Sequence, residues 1–425
     1  MADDILAGLD TVPWELYQHA YGPAVDTPTH IRALLSERAE ERAQAEDDLA
    51  ISIMHQGTLY EATSYAVPFL IAIVDAPAGK DKGSILITLA IIAQAGADIP
   101  YIPEKHCLLS ELDTPEARRE VEIMRGWELK AHAAVCEGRD VYLRLLSDPD
   151  SEVWRGALGV LVAALSDEGA RITPTIRQRI ASADHPHQRA RLARALAEFL
   201  PIDGPTQALL TRLWHEDTDS LVQLSAAVAL AHGLGEQAPA HIEETLSRAL
   251  VAPEPNSEKR YNEVQMDKIT TEYTTDLALG LRAMGARGIS TALPRLLDAL
   301  AIRCAAITVE TLPKGHFGAV SHKQFIAGDG TFKWRVVKGC SVYPSTPELR
   351  LTDAILTLTC GWRSYTRSVA PMLLTPAQRM ALSAIARYDV LWHFDATMDD
   401  LLDSRNLPYS REGLRAYLLQ ADSPN

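Results

Sequence analysis

The side chains best suited to acid–base chemistry near neutral pH fall in one short stretch, residues 55–61, which read HQGTLYE. A neutral imidazole at His55 can take or give a proton near pH 7, with the Tyr60 phenol or the Glu61 carboxylate as its partner. His19 and Tyr21, in the N-terminal lead-in, are expected to approach that stretch. If the chain is an enzyme, His55, Tyr60, His19 and Tyr21 are the residues to test, while Gln56 and Thr58 add hydrogen-bonding groups for binding. The same stretch has a structural reading. Gly57 can leave a helix in the left-handed conformation. Thr58 can cap the next helix, with Glu61 three residues on in capping-box spacing. The polar side chains would then satisfy backbone groups orphaned at two helix ends.

A second concentration of chemistry is basic. Residues 171–194 hold Arg171, Arg177, Arg179, Arg189, Arg191 and Arg194 against a single acid, Asp184. The planar guanidinium fork matches phosphate or carboxylate, which makes Arg189 and Arg191 candidate binding residues. Nucleic acid is disfavoured as the target, because the chain carries a formal net charge of −15 and the segment has no aromatic platform for bases. A solvated face, or a patch that meets acidic side chains of a protein partner, fits better.

Metal and cofactor signals are weak. His185 and His187 lie two apart across Pro186, and His316 and His322 lie further on, in neither case with a third ligand at typical spacing. HExxH, Walker-type and GxSxG patterns are absent. No metal and no cofactor are expected. The cysteines at 107, 136, 304, 340 and 360 are odd in number and share no CxxC spacing, which reads as reduced thiols in a cytoplasm. Cys340 is a possible reactive thiol, although a lone cysteine is usually a small buried apolar side chain. The acidic N-terminus lacks the basic start and apolar run of a signal peptide. The longest apolar run, 85–93, is too short to span a bilayer.

The elements that must position these residues are mostly helices. Apolar residues make up 47% of the chain and aromatics 6%, with Ala and Leu dominating many segments, a composition suited to helix-on-helix packing. In the lead-in, Trp14, Tyr17 and Tyr21 sit at helical spacing. Helices are expected at about 28–35, 38–54, 60–74 and 84–95, then a long one from 114 to 134 after a proline-bearing connection at 97–116. From residue 139 a repeat is legible. DPDSEVWRGA at 148–157, DHPHQRARLA at 184–193 and DTDSLVQLSA at 217–226 each place an Asp nine residues before an Ala. The acid or its neighbour opens a helix, and the small Ala lets two helices approach closely. A lone helix pair cannot bury its apolar face, so such pairs must stack.

The D-x-D-x-x-V-x-x-x-A corner at 148–157 resembles the inter-helix turn of HEAT-repeat proteins. The pattern W-x-L-Y-x-H-A-Y-G at 14–22, with H-Q-G-T-x-Y at 55–60, resembles a group of bacterial, chiefly actinobacterial, HEAT-repeat proteins of unassigned activity. The resemblance implies an all-α, HEAT-type α-solenoid. It also brings two precedents, binding and repair of alkylated DNA and phycobilin lyase activity, although no catalytic motif of the latter is matched.

The expected organisation is a lead-in at 1–30, a HEAT-repeat array at 31–251, a polar linker at 252–262, HEAT-like helices at 263–310, an insertion at 311–346 and C-terminal helices at 347–425. The insertion carries a Gly328-Asp329-Gly330 turn between β-prone runs, a hairpin signal. Its aromatics, Trp334 among them, suit either a lid over a binding face or a cap on the last repeats. The expected function is a cytoplasmic scaffold or adaptor that binds a macromolecule, most simply a protein, on a concave surface. The alternatives are an enzyme of the same fold, acting on a small molecule or peptide near the His55 corner or the insertion, and, more weakly, a nucleic-acid binder.

Overall fold

The computed structural model describes residues 5–55, 57–97, 114–264, 272–310, 320–326, 332–338, 347–361, 371–393, 398 and 401–421. The described residues are mostly helical and separate into two compact units, Met1–Thr206 and a second made of Gln207–Val264 and Thr271–Asn425. No described helix is long and apolar enough to cross a membrane.

In the first unit, α1 (Thr27–Ala33), α2 (Ala39–Ile53), α3 (Glu61–Asp75) and α4 (Lys82–Ala97) follow the lead-in. Next come α5 (Pro115–Glu137), α6 (Arg139–Leu145), α7 (Ser151–Leu165), α8 (Gly169–Ala181) and α9 (Pro186–Ala195). The lead-in itself is not helical as its aromatic spacing suggests. Trp14–Leu16 is one 3-10 turn, and Tyr17 is already extended. The Trp14 indole turns inward and donates to the Leu9 carbonyl at 2.9 Å, which fixes the turn.

The tightest crossing in this unit is between α4 and α7. A Cβ built on Gly156 would lie 2.6 Å from the Leu86 Cβ, and one on Gly83 would lie 2.7 Å from the Glu152 Cβ. Glycine is therefore required on both helices where they meet.

The second unit begins within α10 (Gly204–Glu216) and continues with α11 (Ser220–Leu234), α12 (Ile242–Val251), α13 (Ser257–Val264), α14 (Tyr273–Ala283) and α15 (Gly285–Ala305). Within the stretch 252–262, residues 257–262 belong to helix α13, which packs on α11 and α14. Three strands follow: β5 (Ile307–Glu310), β6 (Val320–Ile326) and β7 (Phe332–Lys338). β6 and β7 pair antiparallel from Ile326↔Phe332 to Val320↔Lys338, and β5 adds to β7 in parallel. Of these strands the backbone is described, and the rest of 311–346, the Gly-Asp-Gly turn included, lies outside the described residues. The chain closes with α16 (Pro347–Cys360), α17 (Pro376–Arg387) and α18 (Arg411–Ala421).

The repeated corners carry the same local chemistry. The Asp150 carboxylate accepts from the Glu152 N–H at 2.8 Å, and Asp148 accepts from the Asp150 N–H at 2.9 Å. Asp219 and Asp217 repeat this, with 2.9 Å to the Leu221 N–H and 3.0 Å to the Asp219 N–H. At the middle corner the His185 ring nitrogen takes the capping role, 3.3 Å from the His187 N–H. Ala157, Ala193 and Ala226 are all fully buried.

Candidate functional site

The His55 stretch is not a plain helix-to-helix corner. It is a short hairpin, β3 (Met54–His55) paired with β4 (Thr58–Leu59), and Gly57 at its tip has φ of 84°. Thr58 does not cap α3. The cap is Tyr60, whose N–H donates to the Thr63 hydroxyl at 3.1 Å, while that hydroxyl donates to the Ile53 carbonyl at 2.6 Å. Thr63, fully buried, thereby fastens the start of α3 to the end of α2.

A second hairpin faces it, β1 (Gln18–His19) paired with β2 (Gly22–Pro23). The Ala20 N–H donates to the Ser52 carbonyl at 2.9 Å, which docks the tip of the first hairpin beside the base of the second. This brings three of the four acid–base candidates into one chain of contacts. The Tyr21 hydroxyl lies 3.4 Å from His55 Nδ1, and the two rings meet edge-on with centroids 5.7 Å apart. His19 Nδ1 accepts from the Tyr21 N–H at 3.0 Å, so its proton sits on Nε2, which is 2.9 Å from Asp26 Oδ1. Asp26 is in turn 3.6 Å from His30 Nε2. Burial pushes the Asp26 carboxyl up, but the hydrogen bond with His19 and the electrostatic attraction of the His19 and His30 rings more than reverse this and hold it below the usual carboxylate range. Tyr60 completes the corner, with its ring 6.4 Å from that of Trp127.

Two of these groups, His19 and Tyr60, are poorly placed for acid–base work. His19 is buried and committed at both ring nitrogens, which leaves it no lone pair for substrate. Burial, with Tyr21 nearby, raises the Tyr60 phenol further from neutrality. The described residues hold no group of three His, Cys, Asp or Glu arranged to bind a metal. What the corner does present is surface: Tyr21 is 66% exposed, Leu16 68% and Val25 62%, beside a half-buried Thr58 and His55.

The other candidates are placed differently. Gln56 lies outside the described residues, as does the side chain of Trp334, whose backbone is in β7. Arg189 donates to the Ala183 and Asp184 carbonyls at 3.2 and 3.0 Å, closing the turn that enters α9. Arg191 is buried, not displayed, so the two guanidinium groups do not form a common surface patch.

The second unit contains a cavity that no sequence pattern singled out. It has a volume of about 300 Å³ between α10, α11, α12, α13 and α14. Trp214, Leu224 and Tyr273 line it, with Arg248, Glu254 and Arg260 as its charged groups. Its wall is firmly held. The Tyr273 hydroxyl donates to the Ala249 carbonyl at 2.9 Å, and burial raises that phenol to about 12. The Tyr273 ring meets Tyr261 edge-on at 5.4 Å. Tyr261 donates at 2.7 Å to the fully buried Asp276 carboxylate, and His232 Nε2 lies 3.0 Å from the same group. One Arg260 nitrogen reaches both oxygens of Asp219, at 2.7 and 2.9 Å. The Asp that caps α11 therefore also positions a cavity cation.

Set beside protein-family models, curated proteins and solved structures, the chain matches none of them.

Proposed function

We propose that the chain is a HEAT-type helical-repeat scaffold that recognises a protein partner in a bacterial cytoplasm, with the hairpin pair around Tyr21 and His55 as a contact surface. The observation that carries this reading is the corner itself. Tyr21 is exposed, as are Leu16 and Val25 of the same lead-in, while the adjoining His19 imidazole is locked by hydrogen bonds instead of being poised as a base. Large aromatic side chains on a rigid support contribute most at the centre of protein interfaces. The repeat reading is supported by the matching caps at Asp150 and Asp219 and by the buried Ala that follows each at fixed spacing. A net charge of −15 favours a basic partner, whose association would be steered by charge.

The test is affinity enrichment with the full chain and with a Tyr21→Ala/His55→Ala variant. A basic protein retained by the first, released by added salt and lost from the second at unchanged melting temperature is the expected result. Equal retention by both would remove the corner from the reading. Recovery of no partner by the unaltered chain from the cells that make it would remove the scaffold role.

A further inference from the structure

The cavity of the second unit carries two opposite charges with nothing to bind. Tyr273 and Arg260, which also line it, are committed to Ala249 and Asp219. Arg248 and Glu254 differ. Among the described residues the Arg248 guanidinium and the Glu254 carboxylate make no hydrogen bond and no ion pair, with each other or with any other group. Both are exposed residues of the cavity lining, which they share with Trp214, Leu224 and Tyr273. Arg260 and Asp219 neutralise one another at 2.7 Å, so the open charges are one cation and one anion.

We propose that this cavity binds a free α-amino acid with a flat apolar side chain. The reasons are charge, size and surface. A ligand with one charge would satisfy one of these two lining groups and leave the other unmatched. A zwitterion answers both: its carboxylate is taken by the planar fork of Arg248 and its ammonium by Glu254. A volume of about 300 Å³ is at the small end of ligand pockets and suits a molecule the size of an aromatic amino acid. Trp214, half-buried in the cavity lining, is the aromatic ring against which a flat side chain stacks, with the largely buried Tyr273 behind it. The wall behind is pre-formed by the Tyr261–Asp276–His232 network, so little ordering is left to occur on binding. This inference rests on residues of the second unit alone and stands apart from the corner at Tyr21.

The experiment is isothermal titration calorimetry of the full chain with L-tryptophan and L-phenylalanine. The comparison ligands are indole-3-propionate, which lacks the ammonium, and tryptamine, which lacks the carboxylate. At least one amino acid binds with saturable heat. Removing either charge from the ligand weakens binding by about tenfold or more, as expected where a site's polar groups are left unpaired. Arg248→Gln and Glu254→Gln, both at exposed positions, weaken it by about tenfold each at unchanged melting temperature. Three results would overturn the proposal: no heat from either amino acid at millimolar concentration, indole-3-propionate binding as tightly as L-tryptophan, or full affinity retained by both variants.

Discussion

Two glycines in the first unit's helices should respond in opposite directions to the same substitution. Gly126 lies in α5, and a Cβ there would meet nothing within 4 Å. Gly156 lies in α7, and a Cβ there would sit 2.6 Å from the Leu86 Cβ and 3.1 Å from the Gly83 carbonyl oxygen. Both neighbours are fixed to the α4 backbone, so neither can swing aside. Replacing a helical Gly by Ala gains about 1 kcal/mol from helix propensity, chiefly through the unfolded chain. Gly126→Ala should keep that gain. Gly156→Ala should meet an overpacking cost of roughly 1–3 kcal/mol, because α4 and α7 must separate to admit the methyl group. The net effect at Gly156 is then a loss of about 1 kcal/mol. In a unit the size of Met1–Thr206, 1 kcal/mol corresponds to a shift of roughly 2–4 °C in melting temperature. Differential scanning calorimetry of the full chain should show the first unit's transition rising for Gly126→Ala and falling for Gly156→Ala. If Gly156→Ala raises the transition as much as Gly126→Ala does, the close crossing of α4 and α7 is wrong.

Three further outcomes are expected. Burial pushes the Glu46 carboxyl up, against the Ser84 hydrogen bond, so the folded state holds its proton more tightly than the unfolded chain does; the resulting penalty is absent in acid and grows as pH rises through the folded value. Glu46→Gln should therefore raise stability at pH 7 in urea melts and lose that advantage below about pH 4, and a variant equally stabilised at both pH values would refute the assignment. Arg405, whose side chain is 2% exposed, binds Asp353 at 2.7 Å, Thr357 at 2.9 Å and the Leu401 carbonyl at 2.7 Å; Arg405→Ala should cost about 3–5 kcal/mol in chemical unfolding, and a loss below about 1 would show that this network is not closed in solution. Fluorescence anisotropy should detect no duplex DNA binding at physiological salt, because Arg189 is engaged and Arg191 buried in a chain of net charge −15; a sub-micromolar, salt-sensitive complex would contradict this.

What could be read from the sequence, and what could not, divides by the range of the interaction. The caps at Asp150, Asp219 and Thr375 join a side chain to a backbone group two or three residues on, so the letters alone contain both partners. The mostly helical character and the buried Ala157, Ala193 and Ala226 follow from the same local spacing. At residues 55–61 the local signal misleads. Thr58 and Glu61 have capping-box spacing, yet Thr63 is the residue that ties Tyr60 and α3 to Ile53, a contact across the hairpin that no periodicity encodes. Strands of two residues are likewise too short to show alternation. The cavity is further out of reach. Trp214, Arg248, Glu254, Arg260 and Tyr273 come from separate helices and turns, with unrelated spacings, and meet only because the helices cross. One trace was present. In 273–283, YTTDLALGLRA, Asp276 is the lone acid of an otherwise apolar and hydroxylic helix face. A carboxylate placed there must find buried donors or its burial is prohibitively costly; Tyr261 donates to it, and His232 Nε2, which hydrogen-bonds the Asp276 backbone carbonyl, lies 3.0 Å from it. That requirement fixes Tyr261 against Tyr273, and Tyr273 in turn forms the cavity wall. In this chain a buried acid in a helix, more than any clustered run of reactive residues, is the feature of the sequence that leads to the cavity wall.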